Sequence, residues 1–283
     1  MKIAKNLAIA CIATIALGLS EGKSQINLPQ ASSVQKIEQG LGIGKATLTY
    51  NRPNRNDRKI FGDLVPLNEV WRTGANNIPA ITFDSPVSIA GHQLPAGTYG
   101  ILTIPNKTEW TIIFSKNSNQ WGSYTYQESD DVLRFKVKPT KLNKMIETFT
   151  MDFSEVTTQH ATLSLRWEKT EVSFGITYNQ DAKIMSDIDA AMKGDQKPYL
   201  QAAQYYYAND KDIQKALEWI TEAEKATPDA FYIFPWKARI QLKAGDKEGA
   251  IATAQKGIEV AEKSNNSEYV KLNKQVLAEA RKK

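Results

Sequence analysis

The apolar residues of this chain change period once, and that change limits the fold more than any single motif does. From about Ser32 to Tyr178 they recur at every second position, as strands with one face on a core require. Past Asn179 they recur at helical spacing, and alanine, lysine and glutamate replace the β-branched residues. A strand sends alternate side chains to one face and a helix every third or fourth, so the two regions cannot share an architecture. The expected fold is an all-β antiparallel sandwich or flattened barrel over residues 25–178, followed by an α-helical region over 179–283.

Within the first region Leu133, Phe135 and Val137 alternate with basic residues, and Phe149, Met151 and Phe153 alternate with Thr150 and Asp152. Ala161, Leu163, Leu165 and Trp167 form a third run, and Val172, Phe174, Ile176 and Tyr178 follow after a short break. The last two runs read as a hairpin. Upstream, Ala46 to Tyr50, Ala80 to Phe83, Thr98 to Ile104 and Trp110 to Phe114 predict further strands, and Leu94-Pro95-Ala96-Gly97 predicts a turn. Gly40-Leu41-Gly42-Ile43-Gly44 lacks the GK[ST] ending of a phosphate loop and leads into a strand, so it reads as a β-turn or bulge.

The N-terminus has the build of a secretory signal peptide over residues 1–24: Lys2 and Lys5, then an uncharged apolar run from Leu7 to Leu19. Gly22 and Ser24 suit cleavage before Gln25, and Gly18 and Ser20 allow an earlier cut. Cys11 lies inside the apolar run and not at its end, which argues against lipid attachment. The mature chain is then exported, periplasmic or extracellular, and free of cysteine, which excludes disulfides, thiolate metal sites and a cysteine nucleophile. No later segment approaches the roughly 20 apolar residues of a membrane helix.

Removal of residues 1–24 takes away three lysines and one glutamate, so the net charge falls from +5 to +3. That near balance, with no basic block, argues against nucleic acid as a partner. The two histidines, His92 and His160, show no metal-ligand spacing, and no GxSxG occurs. No metal or cofactor is implied.

The helical region carries a repeat. Leu200, Ala203, Tyr207, Ala216, Ile220, Ala223 and Pro228 fall where tetratricopeptide repeats place large, small, aromatic and closing residues. One repeat length later, Phe234, Ala238, Gly245, Ala250, Ala254 and Gly257 continue the pattern, and a helix from about Ser267 to Arg281 serves as a cap. Such arrays hold extended peptides, which makes Tyr205, Tyr206, Trp236 and Arg239 candidate partner contacts. The same aromatics could instead pack the helices against the β region.

The candidate site is a polar block: Tyr50-Asn51-Arg52-Pro53, then Arg58 to Gly62, then Val70-Trp71-Arg72-Thr73-Gly74-Ala75-Asn76-Asn77. These segments, with Gly62-Asp63-Leu64-Val65-Pro66, Leu94-Pro95-Ala96-Gly97-Thr98-Tyr99 and Leu163-Ser164-Leu165-Arg166-Trp167, resemble an exported bacterial family catalogued as a domain of unknown function, number 2911. The resemblance covers about Leu28 to Tyr178. It implies an exported β domain with a helical tail and carries over no activity.

Arg52, Arg58, Arg72 and Asn76 supply donors suited to a small anionic or sugar ligand, and Trp71 supplies an apolar face. The competing reading is that these arginines tie down an irregular loop through its carbonyls. Asp63 and Glu69 are the nearest acids for hydrolysis, provided they are buried. Binding is favoured over an envelope hydrolase or a purely structural assembly factor, because binding needs only the residues present.

Overall fold

Alternating burial organises the first unit. The computed structural model describes residues 28–282, so the expected signal peptide and Cys11 lie outside the described residues. The chain divides into two compact units, one running to Val156 and resuming over His160–Ile176, the other holding Thr157–Gln159 and everything from Thr177.

The first unit contains β1 (Ser33–Leu41), β2 (Gly44–Arg52), β3 (Ala80–Phe83), β4 (Val87–Ile89), β5 (His92–Leu94), β6 (Gly97–Ile104), β7 (Trp110–Ser115), β8 (Asp131–Val137), β9 (Thr140–Ser154) and β10 (His160–Thr177). They form two antiparallel sheets, one ordered β1-β2-β3-β6-β7-β8 and the other β5-β4-β10-β9. The sheets are not closed, which selects the sandwich over the flattened barrel. Their inner faces meet through rings from both: Phe114 of β7 and Phe135 of β8 pack edge-on against Phe174 of β10 at 5.9 and 5.2 Å. Fully buried Leu48, Ile81, Ile112, Met151 and Leu163 fill the layer between. Burial of such side chains, worth roughly 1.5–3 kcal/mol each, is the main force holding the sheets together.

The glycine-rich stretch before β2 is a hairpin turn. Leu41 pairs with Gly44, leaving Gly42 and Ile43 as the two-residue loop. Gly42 sits at φ +61°, the positive value that the first central position of a type II′ turn demands.

The expected hairpin between Trp167 and Val172 is corrected by the structure: both runs belong to one continuous strand, β10. The apolar set moves from odd positions (Leu163, Leu165, Trp167) to even ones (Val172, Phe174, Ile176), and strict alternation cannot keep both sets inward. An irregularity resolves the conflict. Glu168 takes φ +56° and the register against β9 shifts on both sides of it. A β-bulge rephases a strand by one residue, which in sequence looks like a turn.

The second unit holds α1 (Asp181–Ala191), α2 (Tyr199–Ala208), α3 (Ile213–Ala226), α4 (Phe234–Lys243), α5 (Lys247–Lys263) and α6 (Ser267–Lys282). The carboxylate of Asp212 accepts from the backbone N–H groups of Gln214 and Lys215 to cap α3, and Asp246 accepts from Gly249 to cap α5. Small residues set the helix spacing. A Cβ at Gly257 of α5 would lie 2.6 Å from the Phe234 Cβ of α4 and 2.3 Å from the Asn273 side chain of α6, so the three helices approach too closely for a larger residue. Glu224 of α3 adds a polar tie, accepting from Lys237 of α4 at 2.6 Å and Lys256 of α5 at 2.7 Å. Burial opposes its ionisation, but the two lysines outweigh that and hold its carboxyl below the usual carboxylate range. Among the described residues no helix is long and apolar enough to cross a membrane.

Candidate functional site

The block is the long connection that leaves β2 at Arg52 and returns to the sheet at β3. A connection of that length carries backbone groups that must be satisfied if it is buried. Backbone bonds fix it along its length: Pro53 O accepts from Phe149 N at 2.9 Å, Arg55 N donates to Glu147 O at 2.8 Å, Trp71 exchanges bonds with Thr103 of β6 at 2.7 and 3.1 Å, and Asn68 N donates to Pro105 O at 2.8 Å.

Side chains complete the attachment. Trp71 is 8% exposed and sits among four rings, 5.9 Å from Phe61, 6.3 Å from Trp110, 5.5 Å from Phe149 and stacked 6.0 Å from Trp167. It is the apolar anchor of the connection, and it also borders a cleft. Arg52 donates to Phe149 O at 3.3 Å and Thr150 Oγ1 at 3.1 Å, tying β2 to β9. Arg58 donates to the carbonyls of Arg55 (2.9 Å) and Asn54 (2.7 Å). Arg55, which sequence reasoning passed over, pairs with Asp57 at 2.9 Å and Glu147 at 3.3 Å. Three arginines of the block are therefore engaged in holding the loop.

Arg72 differs. It is half-buried, and among the described residues its guanidinium forms no hydrogen bond or ion pair; it lies 5.7 Å from the centroid of Trp121. Trp121 is 62% exposed and stacks on the still more exposed Tyr124 at 5.9 Å and 25°. The platform is fixed to the block by backbone: Asn77 and Trp121 form a β-bridge, Ile78 N donates to Gln120 O at 3.2 Å, and Gly122 N donates to Asn76 O at 2.9 Å. Gly122 takes φ +73°, and a Cβ there would meet the Tyr124 ring at 2.7 Å, so this glycine permits the stack.

Two open clefts flank this arrangement. One, of about 700 Å³, is lined by Asn51, Asn76, Asn77, Ser118, Asn119 and Trp121 among others; the second, of about 350 Å³, is lined by Arg58, Trp71, Arg72, Gly74 and Trp167, and Ala31 and Ser32 border both. The turn between them is strained. Buried, β-branched Thr73 has φ +59° and Asn76 has φ +55°, with Gly74 between them at +132°. Positive φ at a β-branched residue costs of order 1–3 kcal/mol and persists only where surrounding contacts enforce it. The Thr73 hydroxyl, within 3.2 Å of Trp71 O and 3.1 Å of Thr103 Oγ1, is one such contact. Asn76 Nδ2 donates to Asn51 Oδ1 at 3.3 Å, which orients both amides at the cleft wall.

The remaining candidates separate by burial. Asp63 and Glu69 are exposed, line neither cleft, and so lack the burial that general acid–base work by these residues requires. In the helical unit Tyr206 is a core residue, 5% exposed and edge-on to Trp219 at 4.7 Å. The Tyr205 hydroxyl donates to Asp181 Oδ1 at 2.7 Å, and burial with that carboxylate pushes it far above its ordinary range. Trp236 and Arg239 are half-buried and paired, guanidinium over ring at 5.4 Å. Among the described residues no group of three or more His, Cys, Asp or Glu is placed to hold a metal ion.

Trp121 and Asn119 were missed in the sequence. The available signal was a tryptophan inside Asn117-Ser118-Asn119-Gln120-Trp121-Gly122, a loop composition in which a large aromatic has no core to enter.

Compared with known proteins, residues 32–176 match the family described as Protein of unknown function (DUF2911). No curated protein and no solved structure matches the chain.

Proposed function

The chain belongs to the family described as Protein of unknown function (DUF2911), and we propose that its β domain is the binding module of an exported cell-envelope protein, taking a sugar or small carboxylate ligand at the paired clefts. The observation that carries this reading is Arg72. Its guanidinium stands at a cleft wall with no protein acceptor among the described residues, while its neighbours Arg52, Arg55 and Arg58 are consumed by the loop. A half-buried guanidinium keeps its five donors available for carboxylate or hydroxyl groups. Trp121 and Tyr124 add an exposed apolar face, and the amides of Asn76, Asn77 and Asn119 both donate and accept. Hydrolysis draws no comparable support, since Asp63 and Glu69 lie outside the clefts.

Export rests on the composition of residues 1–24. In the helical unit the successive pairs α2–α3 and α4–α5, followed by α6, support a tetratricopeptide-like arrangement. There the Trp236–Arg239 pair is the better candidate contact for a peptide partner.

The test is a thermal-shift screen of sugars and small carboxylates against the wild-type protein and Trp121→Ala. Because Trp121 is exposed, the variant should keep its melting temperature and lose the ligand-induced shift. A shift that survives Trp121→Ala, or its absence with every compound, would count against the reading.

A further inference from the structure

A third cleft, of about 400 Å³, is bordered by four lysines over an aromatic floor: Lys59, Lys107, Lys141 and Lys169 around Phe61 and Trp110. The lysines come from four separate segments, the β2–β3 connection, the β6–β7 turn, the start of β9 and the irregular part of β10. Among the described residues no carboxylate lines the cleft. Among the described residues none of the four forms an ion pair, whereas nearby Lys136 pairs with Glu109 at 2.8 Å.

Gathering four like charges raises the local positive potential and works against the folded state unless an anion answers it. The walls that hold them are built. Asn106 Nδ2 donates to Asn68 Oδ1 at 2.6 Å and Asn68 N to Pro105 O at 2.8 Å, which locks the turn carrying Lys107 to the connection carrying Lys59. On the other wall the ladder passes from Glu168↔Ile146 to Thr170↔Lys141, so β9 advances by five residues where β10 advances by two. That excursion sets Lys141 opposite Thr170 and leaves Lys169 unpaired in register, the kind of re-aiming bulges provide. The floor is apolar and fixed, with Phe61 and Trp110 packed at 4.9 Å and 68°.

We propose that this cleft binds a phosphate-bearing ligand, with the lysines on the phosphate oxygens and Phe61 at the ligand's apolar portion. Lysine serves phosphate as a point charge without the fixed geometry arginine imposes, which fits a ring of flexible side chains. A soluble diphosphate and an anionic lipid headgroup share this chemistry.

The experiment measures inorganic pyrophosphate binding by calorimetry at low salt, and cosedimentation with phosphatidylglycerol vesicles against phosphatidylcholine controls. Three proteins are compared with wild type: Lys59→Gln/Lys169→Gln, Lys107→Gln/Lys141→Gln, and Arg72→Ala. Wild type should bind at least one probe with affinity that falls as salt rises. Each lysine removed should weaken binding by about tenfold, in line with hydrogen bonds to charged groups, and Arg72→Ala should bind as wild type does. Pyrophosphate binding assigns a soluble ligand and vesicle binding alone assigns a lipid headgroup. The four lysines are exposed, so both double variants should keep the wild-type melting temperature. Failure of wild type to bind either probe, or undiminished binding by both lysine variants, would overturn the proposal. Loss of binding on Arg72→Ala would overturn it too, by moving the anion to the other clefts.

Discussion

Trp71 gives the sharpest test of the view that the polar block is first of all an attachment of loop to sandwich. Replacing it with alanine removes one ring from contact with Phe61, Trp110, Phe149 and Trp167. A buried tryptophan truncated to alanine costs about 3–5 kcal/mol through lost transfer energy and the cavity left behind. The ring pairs, worth about 0.5–1.5 kcal/mol each in isolation, are part of that loss and push it to the upper end. Against a total stability of roughly 5–15 kcal/mol, the alanine variant could fail to accumulate, so Trp71→Phe, which keeps part of the cluster, is the companion. Urea unfolding followed by near-ultraviolet circular dichroism should show a lowered midpoint with an unchanged slope, at about 1–2 kcal/mol for phenylalanine. A loss below about 1 kcal/mol for alanine would mean that the cluster does not hold the connection, and the division of labour between Trp71 and Arg72 would fall with it.

Three further outcomes follow from the same contacts. Arg52→Ala should destabilise by about 1.5–3 kcal/mol, the range for hydrogen bonds to a charged donor, because both of its acceptors lie on β9; chemical denaturation measures it. Gly74→Ala should cost at least about 1–3 kcal/mol, since φ is +132° and the new Cβ would sit 3.0 Å from Asn51 O; its melting temperature should fall and its ligand-induced shift should shrink as the turn moves. Glu224 has its folded pKa held below its unfolded value of about 4.3, so the stability it contributes is full above that value and is lost as pH falls through the lower, folded one. Glu224→Gln should therefore cost roughly 1–3 kcal/mol at neutral pH, between exposed and buried pairs, and should flatten the acid limb of a stability–pH curve monitored by helical circular dichroism.

How much of this was readable beforehand depends on what a side chain's pattern can encode. Alternation placed β2, β3, β6, β7, β8 and β9, because inward and outward positions differ in polarity. It misread β10, because a bulge changes phase just as a turn does. β1 carries little signal: Val34 is exposed and Ile37 only half-buried, so the strand is held by its backbone ladder to β2. The helical pattern located the α4–α5 turn at Gly245 and the last helix, while α1 buries Ile188 alone among its residues and falls outside the repeat. In the site, the block was legible as unusual, but an arginine that bonds a carbonyl and one that faces a cleft are the same letter. Arg52 and Arg72 could be told apart only by what lies beside them across the fold, Phe149 O for one and Trp121 for the other. Likewise Trp71 and Trp121 both sit among polar neighbours, and long-range packing alone decides that the first is core and the second is surface.

The central claim is that Arg72 is free to bind, and ligand-induced stabilisation of wild type against Arg72→Ala tests it most directly. Its one cation–π or polar interaction among the described residues, the approach to an exposed tryptophan, is worth about 0.5–1 kcal/mol, so the variant should fold within about that margin of wild type. A sugar or carboxylate at a hundredfold excess over its dissociation constant should stabilise wild type by about 2.7 kcal/mol and leave the variant unshifted. A variant that loses about 3–5 kcal/mol without ligand, as when a buried pair is broken, or one that keeps the full ligand shift, would contradict the account.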